Sequence, residues 1–377
     1  MPKVLVVTRN YPPLLGGMER LNWHLVNELG RYCELRLIAP QGAARHAPDG
    51  IVVDEVPLSP LPRFVAVAAV RTWFAARAWR PDWILAGSGL TAPLAWLAAR
   101  GCGARAASYV HGLDLCVQHP AYRLLWRRAL HRMDRVIANS HATARLAEAV
   151  GIASARLSIV HPGTELPAHD AAAGARFRQA NGIDPNSALL LAVGRLTERK
   201  GLRQFVVEVL PRIVHKRPNV VLAVVGEAPR HALSAHAQTP ESIVSAAASA
   251  GVAANLRMLG KLDEARLHDA YFAADVHVFP TRELAGDLEG FGMVALEAAA
   301  HGLWSVAYAA GGVVDAVGQG ASGDLIQPGD GSHFAAAVLA ALERRSAGQG
   351  PRTFAEGFAW KRFGDAVAQA LWPRGDR

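Results

Sequence analysis

The sequence predicts an α/β protein made of two doubly wound parallel-sheet domains. Three observations carry this. Short apolar, β-branched runs alternate with helix-periodic stretches, the mark of strands buried on both faces and joined by crossover helices. The alternation breaks once, near residues 161–187, and then restarts. The chain has 377 residues, 51% of them hydrophobic, which is too long for one ordinary domain and comfortable for two.

The elements follow in order. Residues 4–8, VLVVT, read as a first buried strand. GMERLNWHLVNELG then has helical periodicity and ends at Gly30, a residue suited to a helix C-terminus. Strand-like runs recur at residues 34–39, 51–56, 83–86, 106–110, 135–138 and 157–160, with helical stretches between most of them. The segment HPGTELPAHDAAAGARFRQANGIDPNS holds Pro, Gly, Asp and Asn and reads as a linker. ALLLAVGR restarts the pattern as a strand and RQFVVEVLPRIVHKRP as a helix. NVVLAVVGE, VHVFP and WSVAY are further strands, and FAWKRFGDAVAQALW a terminal helix. The expected division is a Rossmann-like domain at 1–165, a linker at 166–187, a second Rossmann-like domain at 188–355, and a helix at 356–377 that crosses back to the first domain. Open parallel sheets bind ligands beyond the carboxyl ends of their strands, so the site is expected in the cleft between the domains.

Charge and composition remove several classes. Charged residues make up only 19% of this hydrophobic chain, which excludes a disordered one. Lys and Arg number 40 against 32 Asp and Glu, a balance of +8 that points to an anionic partner. Residues 1–165 hold 19 basic and 11 acidic side chains, and residues 166–377 hold 21 of each, so the whole excess lies in the first half. No recognised nucleic-acid motif accompanies it, so nucleic acid is not the expected partner. Cys33, Cys102 and Cys116 are far apart without a C-x-x-C, which argues against a disulfide framework or a cysteine zinc site and fits a reducing cytosol. MPKVLVVTRNYPP lacks signal-peptide anatomy, and no stretch of 18 uninterrupted apolar residues exists, so a cytoplasmic protein without a membrane span is expected.

Four motifs carry chemistry. In EGFGMVALEAAAHG, Gly290 and Gly292 let the chain turn tightly after Glu289, and Met293 opens a helix that holds Glu297 about one turn inside. Backbone N–H groups at such a turn bind anions, and the two carboxylates can accept hydrogen bonds from sugar hydroxyls. Two glutamates alone would read more readily as a loop glutamate and one on a solvated helix face; the glycine loop, the alanine-rich helix and the next motif reverse that. In LLLAVGRLTERKG, Arg195 and Lys200 follow a strand's carboxyl end, well placed for a diphosphate, although a solvated basic turn would look similar. In NYPPLLGGMER, Gly16 and Gly17 allow close backbone approach where the first helix starts. This loop lacks the G-x-G-x-x-G fingerprint, which weighs against a dehydrogenase, and the chain has no P-loop. In SYVHGLD, His111 ends a buried strand, where it is either a satisfied structural histidine or a residue facing the ligand.

Together these motifs resemble the GT-B glycosyltransferases of family 4, retaining enzymes that use nucleotide-sugars. The resemblance runs almost end to end: G-G after the first strand, H-G, G-R-x-x-x-x-K-G, E-G-F-G followed by A-L-E-A, and a late G-G at Gly311 and Gly312. LRMLGKLDEARLHDAYFAADVHVFPT resembles the family's nucleotide-contacting segment, and RELAGDLEGFG and YPPLLGG are most similar to phosphatidylinositol mannosyltransferases. The resemblance implies a GT-B fold with an acceptor domain first and a donor domain second. Arg195 and Lys200 would bind the donor diphosphate, Glu297 the ribose and Glu289 the donor sugar. His111 would lie beside the transferred sugar. Gly16, Gly17 and the backbone of Gly290, Phe291, Gly292 and Met293 would line the sugar–phosphate site, and Lys261 and Leu262 would lie near the base. Two departures stand out: Asn10 occupies a position often acidic in close relatives, and VVGEAP lacks a second glycine after Gly226.

No D-x-D metal-diphosphate signature occurs, so no metal and no cofactor are expected, and fixed cations would meet the leaving group's charge. The stretch 121–135, AYRLLWRRALHRMDR, reads as one amphipathic helix carrying five arginines and one aspartate, half of the chain's net charge. Such a helix either solvates its arginines or lies on an anionic membrane. The membrane reading makes Asn10, Tyr11, Arg123, Trp126, Arg127 and Arg128 the acceptor or membrane side, on the inner face of the membrane. The expected activity is transfer of a hexose, mannose from GDP-mannose being favoured, to a glycan or lipid-linked acceptor. UDP-sugar donors, a nucleotide-sugar epimerase or sugar-phosphate synthase, and a non-enzymatic anion-binding module stay open.

Overall fold

The computed structural model describes residues 1–117, 120–228, 237–344 and 349–373, with residues 120–124 described by their backbone alone. It divides into two compact units, residues 1–163 with 358–377 and residues 164–357. The first holds a seven-stranded parallel sheet: β1 (Lys3–Val7), β2 (Glu34–Pro40), β3 (Val52–Val56), β4 (Trp83–Ala86), β5 (Arg105–Val110), β6 (Arg135–Ala138) and β7 (Leu157–Ile159), in the order β3-β2-β1-β4-β5-β6-β7. The second holds a six-stranded parallel sheet: β8 (Leu189–Val193), β9 (Val221–Val225), β10 (Leu256–Gly260), β11 (Val276–Phe279), β12 (Ser305–Tyr308) and β13 (Gly323–Ile326), in the order β10-β9-β8-β11-β12-β13.

Each order runs outward in both directions from its first strand. That makes β1/β4 and β8/β11 the topological switch points, where the loops leave toward opposite faces and open a crevice at the carboxyl ends. Both faces of each sheet are covered. Leu190 and Ala192 of β8 pack into one core with Phe205, Ile213 and Phe334. Their neighbours Leu189 and Leu191 pack on the opposite face with Phe177, Tyr271 and Ala298. The period-two alternation of a strand therefore feeds two cores, which is why its sequence reads as unbroken apolar residues.

Three stretches differ from what the pattern implies. The helix expected from RQFVVEVLPRIVHKRP is two helices, Leu202–Glu208 and Leu210–Lys216, broken at Val209. Pro211 lacks an N–H and fits only the first turn of a helix, so it restarts one there. The segment 166–187, linker-like in composition, carries the helix Ala173–Ala180 and belongs to the second unit. Phe177 anchors it in the core, and Arg178 donates to the Ala273 carbonyl at 2.9 Å and pairs with Asp275 at 3.0 Å. The basic stretch 121–135 is not one helix. The helix Pro120–Leu130 ends there, residues 131–134 turn, and Arg135 opens β6. The apolar run at 136–138 is claimed by the sheet, where it gains a ladder and burial on both faces.

The terminal helix Trp360–Leu371 packs within the first unit. Trp360 stacks on His24, ring centroids 3.7 Å apart and 6° from parallel. Gly364 allows the close helix approach, because a Cβ there would lie 2.5 Å from the Glu28 Cβ. Gly364→Val is therefore expected to lower the unfolding free energy by about 1–3 kcal/mol through overpacking. Gln369→Val, at an exposed position of the same helix, should change little. Urea titration of both variants checks this, and equal stabilities would show that the contact is loose.

Candidate active site

The second unit's switch point gathers the strongest cluster. β8 ends at Val193, and the loop beyond it runs through Gly194 and Arg195 to a short 3-10 turn, Glu198–Lys200. Gly201 closes the turn at φ +69°, and a Cβ there would sit 2.0 Å from the Pro280 carbonyl oxygen. Only glycine lets the loop after β8 lie flush on the loop after β11. The Arg282 amide donates to the Arg199 carbonyl at 2.7 Å and completes that contact.

This packing aims two cations at two carboxylates. Arg199 Nε donates to Asp287 Oδ1 at 2.9 Å, and Arg199 Nη1 also pairs with Glu289. Lys200 Nζ donates to Glu289 Oε2 at 2.8 Å and stands 4.6 Å from the Phe279 ring centroid. The Glu289 side chain is only 11% exposed. Burial alone would raise its pKa, but the charges of Arg199, Lys200 and Arg195 outweigh burial and hold it at about 2. Burial pushes the Lys200 ammonium below its ordinary value, and Glu289 pulls it back up. His277 lies wholly buried, with Nδ1 and Ser305 Oγ 2.9 Å apart. Burial and the charge of Lys200 lower its pKa to about 3, so it is neutral. Arg195 is exposed and makes no hydrogen bond or ion pair among the described residues. Arg195, Arg199 and Lys200 against Asp287 and Glu289 leave the cluster one positive charge in excess.

The glycine loop follows. Gly292 caps the helix Met293–Ala300 at φ +100°, and a Cβ there would meet Phe279 at 2.9 Å. A Cβ on Gly312 would meet the Gly290 carbonyl oxygen at 2.1 Å, and the Gly312 amide donates to the Glu289 carbonyl at 2.8 Å. The Gly311–Gly312 turn thus supports the backbone of residues 289–291. Phe291 is buried and Met293 half-buried at the helix start. Glu297 lies one turn further in and accepts a hydrogen bond from Tyr271 Oη at 2.9 Å. Lys261 is exposed and Leu262 half-buried in the loop after β10.

The first unit repeats the arrangement at β1/β4. Buried His111 follows β5, its Nε2 3.0 Å from the Gly87 carbonyl oxygen, while its amide donates to Asp114 Oδ2 at 3.1 Å. A Cβ on Gly87 would lie 2.8 Å from the Thr8 Cβ, so the carboxyl ends of β1, β4 and β5 meet here. Asn10 donates through Nδ2 to Glu19 Oε1 at 2.7 Å. Gly16 and Gly17 are exposed at the start of the helix Gly17–Leu29. Tyr11 does not present itself as an acceptor contact: it is wholly buried, and burial raises its hydroxyl pKa. Trp126 Nε1 donates to the Leu90 carbonyl at 2.8 Å, Arg127 donates to the Leu115 carbonyl at 3.4 Å, and Arg128 is exposed. The Arg123 side chain lies outside the described residues.

Sequence reading missed Arg199 and Asp287. The signal was present: ERK supplies adjacent cations and DLE carboxylates two residues apart, one pair for the other. It also missed Tyr271 under Glu297, and Arg9, a half-buried guanidinium beside Glu19.

The Glu289 cluster has a pH signature. Its folded pKa, about 2, lies below the ordinary 4.5, so its contribution to stability is complete above about pH 4.5 and is lost as pH falls toward 2. Glu289→Gln leaves buried cations short of a partner and should cost about 3–5 kcal/mol at neutral pH. The deficit should shrink across that acid window, as read by urea unfolding at stepped pH. A deficit independent of pH would show that Glu289 does not carry the linkage.

Comparison with known proteins gives the family and the fold. Residues 175–354 match the family Glycosyl transferases group 1, and residues 15–167 match Glycosyltransferase Family 4. A GDP-mannose-dependent alpha-(1-6)-phosphatidylinositol monomannoside mannosyltransferase of Mycolicibacterium smegmatis is 30% identical over 400 residues, covering 98% of each chain. D-inositol 3-phosphate glycosyltransferase 2 of Catenulispora acidiphila is 34% identical over 214 residues, covering 56% of this chain and 48% of that protein. The match thus spans about half the length of that relative, and it covers 52% of a D-inositol 3-phosphate glycosyltransferase of Geodermatophilus obscurus. The crystal structure of Anabaena HepE in complex with UDP is similar at a TM-score of 0.79 and 19% identity, over 98% of this chain and 99% of that one. At that identity the likeness speaks for the fold, GT-B. The chain belongs to the group 1 and family 4 glycosyltransferases, enzymes of the transferase class.

Proposed function

We propose that the protein moves a hexose, with retention of configuration and without a metal, from a nucleotide-sugar to a glycan or lipid-linked acceptor. GDP-mannose is the favoured donor. One observation carries the reading: a cation-rich cluster at the β8/β11 switch point beside a glycine loop that opens a helix. In the transfer, the bond from the sugar carbon to the diphosphate breaks, a bond to an acceptor hydroxyl oxygen forms, and the hydroxyl proton passes to the departing diphosphate oxygen. Negative charge grows on the departing nucleoside diphosphate and needs preorganised positive partners.

Arg195 and Lys200 take that role. Lys200 can turn from Glu289 to a phosphate because Arg199 remains to neutralise Glu289. Glu289, ionised across the physiological range, then accepts hydrogen bonds from sugar hydroxyls. The amides at the start of the helix Met293–Ala300 add donors for the phosphate. Glu297 receives the ribose, Lys261 and Leu262 border the base, and His111 lies beside the transferred sugar. The absence of D-x-D from the sequence and the supply of fixed cations support the metal-free reading. The M. smegmatis relative, similar over 98% of both chains and named for GDP-mannose, supports the donor. A UDP-sugar is the second reading, favoured by the likeness to HepE, whose structures hold UDP and UDP-glucose. No helix among the described residues is long and apolar enough to cross a membrane. The basic first unit supports an acceptor presented at an anionic membrane surface on the cytoplasmic side.

A panel of GDP- and UDP-sugars with a chelator present tests the proposal by thermal shift and product formation. Stabilisation by GDP-mannose and transfer in chelator are expected. Arg195→Ala and Lys200→Ala should each lower turnover by about 10²–10³ with the protein still folded. A strict metal requirement, or near-normal turnover in both variants, would overturn the mechanism.

A further inference from the structure

The first unit's arginines do not spread evenly. Five of them converge on a cavity of about 760 Å³ at the amino ends of β4 to β7, opposite the carboxyl ends where His111 lies. Trp83 begins β4, Arg105 begins β5, Arg135 begins β6, and Arg156 directly precedes β7. Arg100 comes from the last turn of the helix Ala92–Cys102, and Arg132 from the turn before β6. Asp134 is the single carboxylate in the lining, and it already accepts from the Ala106 amide at 2.8 Å.

The guanidinium groups are held in place. Arg100 and Arg132 lie over the Trp96 ring at 5.5 and 5.1 Å, and Arg105 lies over Trp83 at 5.6 Å. Arg135 donates to the Ala155 carbonyl at 2.8 Å and Arg156 to the His131 carbonyl at 3.1 Å. Guanidinium forks fixed on rings and carbonyls suit the oxygens of a phosphate.

A second cavity adjoins the first. It has a volume of about 680 Å³, runs along the helices Leu61–Trp79, Ala92–Cys102 and Pro120–Leu130, and its lining is apolar throughout. Trp96 lines both cavities. Around the second, Phe74 is 66% exposed, Leu125 56% and Leu97 52%. Large apolar side chains left in water beside an excess of positive charge match the two parts of an anionic lipid.

We infer that this face of the first unit is an anchoring site for an anionic glycerophospholipid of a bilayer surface. The headgroup phosphate sits among Arg100, Arg132 and Arg156, and the acyl region lies against Trp96, Phe74 and Leu97. It rests on the reading of an enzyme that works at a membrane surface. It also moves the membrane contact from the arginines of the helix Pro120–Leu130 to the amino ends of the strands. The lipid here is an anchor and not the acceptor, because the pocket lies at the opposite end of the sheet from His111.

Flotation with phosphatidylcholine vesicles, with and without phosphatidylglycerol, tests the site on the full chain. Wild type should float only with phosphatidylglycerol. The double variant Arg132→Glu/Arg156→Glu should lose at least about tenfold in partitioning. Phe74→Ser/Leu97→Ser should also lose partitioning, at unchanged charge. Both variants alter exposed side chains of the first unit and leave the second unit, which holds the glycine loop, unchanged, so thermal stabilisation by nucleotide should persist and report an intact fold. Equal flotation with neutral vesicles, an apolar variant that floats like wild type, or displacement from vesicles by inorganic phosphate alone would overturn the inference. Failed flotation with nucleotide stabilisation retained sinks this site and spares the donor reading. Flotation with no response to any nucleotide does the reverse.

Discussion

A buried carboxylate stays charged only where cations meet it, and Glu289 is met by two. Arg199 and Lys200 come from the loop after β8, and Asp287 and Glu289 from the loop after β11. Those strands are neighbours in the sheet but far apart in sequence. The ion cluster therefore fixes how the two loops sit at the switch point. Gly201 answers the same demand between these two loops, and Gly312 answers it between the loops after β11 and β12, since a side chain at either would strike the facing backbone. Charge and close backbone contact together hold open the crevice in which the helix Met293–Ala300 begins.

The cluster also bears on the proposed chemistry. A lysine already bound to a carboxylate is a weaker anion receptor than a free one, but it is preorganised. Arg199 eases the conflict, because it bridges Asp287 and Glu289 and leaves each with a cationic partner when Lys200 turns away. On the proposed reading, exposed Arg195 adds the excess charge that would draw a diphosphate before any exchange occurs.

Much of this was legible in the sequence because it rests on local rules. The buried strands show as apolar runs, and residues 83–86 and 135–138 are placed to the residue. The glycine loop and the helix holding Glu297 follow from backbone freedom and periodicity. What was hidden depends on partners distant in the chain. Nothing near Arg199 says that it pairs with Asp287, and nothing near Tyr11 says that it is buried. The stretch 121–135 misled for another reason. Its helical periodicity is real as far as Leu130, and then the sheet's need for β6 overrides it. The charge of the first half changes meaning accordingly. Arg132 and Arg135 belong to a pocket with Arg100, Arg105 and Arg156, an association that spacing along the chain does not reveal.

On the proposed reading, fixed cations, Arg195 among them, receive the donor's diphosphate. Calorimetric titration of GDP and GMP into wild type and Arg195→Ala, with chelator present, tests it most directly. Arg195 is exposed, so its loss should leave the fold intact. Wild type should bind GDP at least about tenfold more tightly than GMP, and the gap should narrow in the variant. Equal affinity for the two nucleotides, or a gap untouched by the substitution, would contradict the account.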